Sequence, residues 1–152
     1  MAEIEIKPNG TLPIQFSVML KNRAGAFSSL VRLLNKENID VIGLSVQDSR
    51  DCAIVRLVLS DPDTAMRIFM EKGIPHTTSE IAVIALNETG NTLTRALDVL
   101  RAAETNLDFA YSLMPHPQEK SLIAMHLEDT RFGMSVLHQS GFRVFYEEDL
   151  LR

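Results

Sequence analysis

Asn22, Gly25 and the apolar residues after them are the part of this sequence best suited to chemistry. A glycine just before a helix lets backbone approach a bound group without a Cβ in the way. The first helical turn presents unpaired N–H groups and the positive end of the peptide dipole, which together suit a carboxylate. Asn22 brings a donor and an acceptor on one side chain. Asn and Gly also dominate ordinary turns, so residue type alone favours plain turn chemistry. Such a terminus offers nothing to an ammonium group, which needs acceptors from elsewhere. The other reactive types are scattered. His76 and His116 adjoin prolines, and His126 and His138 have no Cys or carboxylate at ligand spacing. No metal and no cofactor is therefore expected, and the histidines read as solvated or core residues. His126 stands out, because it falls in an apolar strand. Met66, Met70 and Met134 lie on helical stripes, where core filling is the ordinary role.

The whole chain sets the bounds. It has 152 residues, 15 Lys+Arg against 20 Asp+Glu, and a net charge of −5. That length allows one ordinary domain or two small ones, with a core that needs no staple. The lone Cys52 excludes an intramolecular disulfide and fits a reducing compartment. The longest uninterrupted apolar stretch, Ile81–Leu86, is far short of a membrane helix. Residues 1–20 lack the basic start and apolar centre of a secretory signal. Without a Lys/Arg cluster, neither nucleic acid nor an anionic membrane is an expected partner. A soluble, cytoplasmic protein is expected.

Internal repetition organises the rest. Phe27, Leu30, Val31 and Leu34 fall at the spacing of one helical face, and Leu93, Ala96, Leu97 and Leu100 repeat it 66 residues later. Val41 and Leu107 keep that offset. Beyond them the offset becomes 68, pairing Asp61 with Asp129, Met66 with Met134, Ile68 with Val136 and Gly73 with Gly141. The change places two extra residues between Val46/Ser112 and Ile54/Leu122, where insertions imply a turn. Each copy then reads strand, helix, strand, hairpin, strand, helix, strand. Ile14, Phe16, Val18 and Leu20 alternate with polar or flexible residues, as in a half-buried strand. Asp61 or Asp63 caps a second helix, Pro62 suits its first turn, and Gly73 suits its exit.

That order predicts an α+β protein of two ferredoxin-like βαββαβ modules, residues 1–78 and residues 79–152. The plait by itself carries no function. Its RNA-binding versions need exposed aromatics on the central strands, whereas Gln15, Ser17, Ile54 and Arg56 occupy that surface in the first copy. Metal-carrying versions need a close Cys pair, which is lacking.

The stretch Leu20-Lys21-Asn22-Arg23-Ala24-Gly25-Ala26-Phe27 resembles the strand–helix turn of the ACT domain, an amino-acid-sensing module of metabolic enzymes. That family has Asn-x-Pro-Gly there and a Gly-(Ile/Val)-Asn-(Ile/Val) helix exit. Here Ala24 replaces the proline, and the exit reads Asn38-Ile39-Asp40-Val41. Ala53–Leu59 and Asp61-Pro62 resemble the remainder of the first module of stand-alone tandem ACT proteins, and the likeness spans about residues 12–150. In the second copy Asn87-Glu88-Thr89-Gly90-Asn91 lacks the Pro-Gly pair, while Asn106-Leu107 keeps the exit. The resemblance implies modules paired side by side along their second strands, with a free amino acid bound at the shared boundary. It implies contacts from Asn22, Arg23, Ala24, Gly25, Ala26 and Phe27 across to Asn106, Leu107 and Asp108. A mirror site would use Asp40, Val41, Asn87, Gly90 and Asn91. It further implies a non-catalytic, allosteric regulator, with a separate metabolic enzyme as a possible partner.

One further expectation concerns assembly. With the strand register carried over from the first copy, Val83, Ala85, Phe109, Tyr111, Leu113, Leu122 and Ala124 point away from the helices. An apolar sheet face is seldom left in water, so a homodimer through the second module's sheet is expected. Two rival functions remain on the sequence: a small enzyme using His126 with a nearby carboxylate as acid and base, or a structural ACT pair whose ligand site has decayed.

Overall fold

Phe16 and Val18 are buried while Ser17 and Met19 are more open, the alternation that one strand face laid on a core produces. The computed structural model describes residues 10–21, 24–48, 51–86, 92–117 and 121–150. The first copy runs β1 (Ile14–Lys21), α1 (Ala26–Lys36), β2 (Val41–Asp48), β3 (Cys52–Leu59), α2 (Pro62–Glu71) and β4 (His76–Glu80). The second runs β5 (Ala82–Ala85), α3 (Thr92–Ala102), β6 (Leu107–Ser112), β7 (Leu122–Leu127), α4 (Thr130–Gln139) and β8 (Val144–Phe145), closed by a 3-10 turn at Glu147–Leu150. The strands make two four-stranded antiparallel sheets, ordered β2-β3-β1-β4 and β6-β7-β5-β8. This is the α+β double βαββαβ plait read from the sequence. Only Ile81 separates β4 from β5, so one copy passes into the next without a spacer.

The chain forms two compact units. In the first, Ile14–Ser79, the core holds Phe16, Val18, Leu30, Leu34, Leu57, Ala65 and Phe69. In the second, Ala82, Ile84, Ala96, Leu100, Met125, Met134, Leu137 and Val144 play the same part. Residues 10–13 group with the second unit, not with the first module as the expected 1–78 division had it. The reason is physical. Leu12 is 2% exposed within the second core, Ile81 N–H donates to Pro13 O at 3.0 Å, and Glu147 N–H donates to Thr11 O at 3.0 Å.

The helical stripe of the second copy is narrower than its spacing suggested. α3 buries Thr92, Ala96 and Leu100, a row of every fourth residue, and leaves Leu93 and Leu97 exposed. α1 likewise buries Leu30 and Leu34, with Phe27 and Val31 half-buried.

Strand register in the second sheet matches the expected one. Ala82, Ile84, Met125 and Leu127 face the helices, so Val83, Ala85, Leu122 and Ala124 face away. Most of that face is out of water in the single chain, while Phe109 and Tyr111 on it are half-buried. Val83 and Ala124 are 0% exposed, Leu122 1% and Ala85 6% in the single chain. Part of the cover is the segment after β6: the His116 ring lies 5.7 Å from Phe145, and its Nε2 is 3.0 Å from Asp149 O.

β2 and β6 each end their own sheet. Both strands open with a bulge, between Val41 and Gly43 and between Leu107 and Phe109. Bulges sharpen the local twist and turn an edge aside.

Candidate functional site

A helix start exposes donors that something must satisfy, and the chain treats its helix starts differently. At α2 the Asp61 carboxylate accepts from Thr64 N–H at 3.2 Å, and at α4 the Asp129 carboxylate accepts from Phe132 N–H at 3.1 Å. Hydrogen bonds from the Thr64 side chain, then from its backbone, hold the Asp61 carboxyl below its ordinary 3.8. At α1 the cap residue is Gly25, with φ of +87°, no side-chain cap and no acidic residue in the first turn. That backbone conformation favours glycine, and the space beside its Cα is open. Ala24 and Gly25 are exposed and Ala26 is half-buried, while the Phe27 side chain packs on the first core. Among the described residues, this turn therefore offers backbone N–H rather than side chains outward. Asn22 and Arg23 lie outside the described residues.

The helix exits of the two copies are built alike. Asp40 N–H donates to Ser60 Oγ at 2.8 Å and Asp40 O accepts from Ser60 N–H at 3.0 Å. In the second copy Asn106 O accepts from Glu128 N–H at 3.0 Å, and the Asn106 carboxamide nitrogen donates to Glu128 Oε2 at 3.0 Å. Val41 and Leu107 turn their side chains into the two cores, which leaves only their backbone for a ligand. Asn87, Gly90 and Asn91 lie outside the described residues. The α1 terminus belongs to the first unit and the Asn106–Asp108 exit to the second, and each geometry is internal to its own unit.

One constellation was only half visible in the sequence. Asp108, in the β6 bulge, accepts a 2.8 Å hydrogen bond from His126 Nδ1 on β7. The imidazole stacks on Phe109 at 4.8 Å and 13°, and Phe109 stacks on Tyr111 at 6.4 Å and 12°. With its Nδ1 proton donated to the carboxylate, a neutral ring presents Nε2 as an acceptor. Eighteen residues separate the partners, so linear spacing conceals them. The hairpin ladder joins them. The repeat offsets supply a signal, since they align Asp108 and His126 with Ile42 and Val58, both apolar.

Two other histidines, His116 and His76, are held by packing. His116 is 7% exposed, the core one of the two roles expected for it. His76 packs 5.3 Å from the Phe69 ring, with Nδ1 2.9 Å from Ile74 O. Gln15, expected on an open surface, is 1% exposed, and its carboxamide nitrogen reaches Ser79 Oγ at 3.3 Å. Among the described residues no group of three His, Cys, Asp or Glu could hold a metal ion, and no helix is long and apolar enough to cross a membrane.

Comparison with known proteins places this geometry. A family model described as an ACT domain pair matches residues 12–150. A protein of Bacteroides thetaiotaomicron of known structure superposes with a TM-score of 0.86 at 22% identity, covering 95% of this chain and 99% of that one. The regulatory subunit of aspartate kinase from Thermus thermophilus, in its ligand-free form, gives 0.58 at 10% identity, covering 92% and 99%. An aspartokinase alpha and beta subunit structure gives 0.54 at 11%, covering 84% and 90%. A search of curated proteins by sequence returned no match. At these identities the structures speak for the fold alone, and the family model, spanning almost the whole chain and both plaits, speaks for descent: the chain belongs to the ACT domain pair family.

Proposed function

We propose that this protein is a non-catalytic regulator that binds a free amino acid and reports its level to an enzyme of amino-acid metabolism. The observation that carries the reading is the start of α1. Two other helices close their own termini with Asp61 and Asp129, whereas the cap residue of α1 is Gly25, which has no side chain to offer, and among the described residues no side chain caps that terminus. The α-carboxylate would take the place of that missing cap, at Gly25, Ala26 and Phe27, with Asn22 orienting it. Carbonyls and carboxylates at Asn106–Asp108 would take the ammonium, and the mirror site at Asp40 and Asn87–Asn91 is the lesser of the two. Membership of the family and the fold shared with an aspartate kinase regulatory subunit support a regulatory role. The ligand would act by population shift, limited by its differential affinity for two arrangements of the modules. A Kd of about 10 μM to 1 mM, roughly −4 to −7 kcal/mol, lies within reach of one helix terminus and a few charge-assisted bonds. A cytoplasmic location and a separate partner enzyme belong to the same proposal.

Thermal-shift screening of the full chain against the twenty amino acids tests it. One or a few stabilising ligands are expected, and Ser28→Glu, a carboxylate placed to serve the same donors, should weaken them while stabilising the unliganded helix. No hit at millimolar concentration overturns the sensing role and favours a decayed, structural pair. A second reading has the 2.8 Å contact of His126 with Asp108 in its favour: an acid–base pair in a small enzyme. Consumption of a stabilising ligand, abolished by His126→Gln, would move the assignment there.

A further inference from the structure

The polar pair of β6 and β7 depends on a bulge. Leu107 opposes Leu127 and Phe109 opposes His126, so Asp108 is the extra residue between them. In a regular strand Asp108 would point opposite to Phe109, toward the helices. The bulge turns it to the side of Phe109 instead, where its carboxylate accepts from His126 Nδ1 at 2.8 Å. Stacking on Phe109, at 4.8 Å and 13°, fixes the plane of the imidazole. The neighbouring carboxylate is held in the same manner, since Glu128 Oε2 accepts from the Asn106 carboxamide at 3.0 Å. The first unit has the same bulge, with Ile42 as its extra residue and Val58 across the ladder, each 2% exposed. A plait therefore closes this hairpin without any polar pair. With side chains 51% and 29% exposed, the Asp108–His126 contact also adds little to stability. Its reason lies outside the fold.

We propose that His126 is a positioning residue of the amino-acid site: it holds Asp108 so that the second oxygen of the carboxylate receives the ammonium. The proposal rests on the reading of Asn106–Asp108 as the ammonium half of that site. The Asp108 side chain is half in water, so without a partner it would sample several rotamers, and ordering it on binding would weaken affinity. The bond to His126 orders it before any amino acid arrives. A lysine or arginine could hold the carboxylate equally well, but it would neutralise the charge that attracts the ligand. A neutral imidazole donates one hydrogen bond and leaves that charge in place for the ammonium.

Isothermal titration of the full chain with each of the twenty amino acids is the test, run on the parent, His126→Val and His126→Asn. Valine is the residue of the first unit at this ladder position and donates nothing. The asparagine carboxamide nitrogen stands where the imidazole Nδ1 does. For an amino acid bound by the parent, His126→Val should raise Kd about two- to tenfold, and His126→Asn should recover most of that loss. The N-acetyl derivative of the same amino acid has no ammonium, so whatever affinity it keeps should be equal in the parent and His126→Val. Circular dichroism and thermal melting confirm that both variants fold. Equal affinity in parent and His126→Val overturns the proposal and leaves the amino-acid site standing. So does a loss that His126→Asn does not reduce, or one shared by the N-acetyl derivative. A parent that binds none of the twenty overturns the site and this assignment together.

Discussion

The first and second units follow one plan and diverge at the ends of their second strands. At the bulge the first unit has Ile42, Gly43 and, across the ladder, Val58; the second has Asp108, Phe109 and His126. Along the edge the first unit has Leu44 and Val46; the second has Ala110 and Ser112. Ile42 and Val58 are 2% exposed, whereas the Asp108 and His126 side chains are 51% and 29% exposed. A duplicated plait keeps its core because both copies must bury the same helix faces. Positions outside that core are free to part, and polar chemistry has collected in one copy while an apolar edge has collected in the other.

Four measurements would break or sharpen this comparison. Leu34 and Leu100 hold equivalent core positions, 0% and 2% exposed. Leu34→Ala and Leu100→Ala should each cost about 2–5 kcal/mol in urea unfolding. A marked inequality would show that one core is softer than the repeat implies. Next comes the helix position where the first copy has Ala65 and the second Gly133. A Cβ at Gly133 would meet the Leu127 side chain, with Leu100 3.7 Å away. Gly133→Ala should therefore lose about 1–3 kcal/mol to overpacking, against the usual gain from removing a helical glycine. A stabilised variant would mean that Leu127 yields freely.

The caps come third. Asp61→Ala and Asp129→Ala should each cost about 0.5–2 kcal/mol. Because the folded-state pKa of Asp61 is lowered, its contribution is present above the unfolded carboxylate range and is lost as pH falls through the lowered value. A stability profile of Asp61→Ala against the parent should accordingly converge in acid and separate toward neutral pH. The smallest effect is at the helix exits, where Asn38 and Glu104 take φ of +58° and +54°. Asn tolerates that region and Glu does not. Glu104→Gly should gain about 0.4–1 kcal/mol in the melting curve, and Asn38→Gly less.

Much of the fold was legible in the residues. The offset of 66 that becomes 68 located both hairpins, and Pro62, Asp61 and Gly73 marked the bounds of α2 where they stand. The alternation through Val83 and Ala124 placed those side chains on the correct face of the sheet. What that face meets was not legible, because alternation reports direction and not cover. Gln15 read as a surface residue for the same cause: a polar side chain shows in the sequence, its hydrogen-bond partner does not. Leu12 fell on the wrong side of the module boundary because a four-residue segment has no periodicity to assign it. Of the candidate site, the glycine cap of α1 was legible in Gly25 alone, whereas the commitment of Asn106 to Glu128 required a ladder.

By itself, the sequence determined two like plaits, their element order and a helix that starts from a glycine, since these follow from periodicity, turn chemistry and φ preference within a few residues. The tertiary structure alone decided that Asp108 meets His126, that the apolar face of the second sheet is already covered, and that β2 ends its sheet with Leu44 and Val46 in water. Those outcomes depend on which distant strands lie side by side, and proximity of that kind is set by packing rather than by neighbours along the chain.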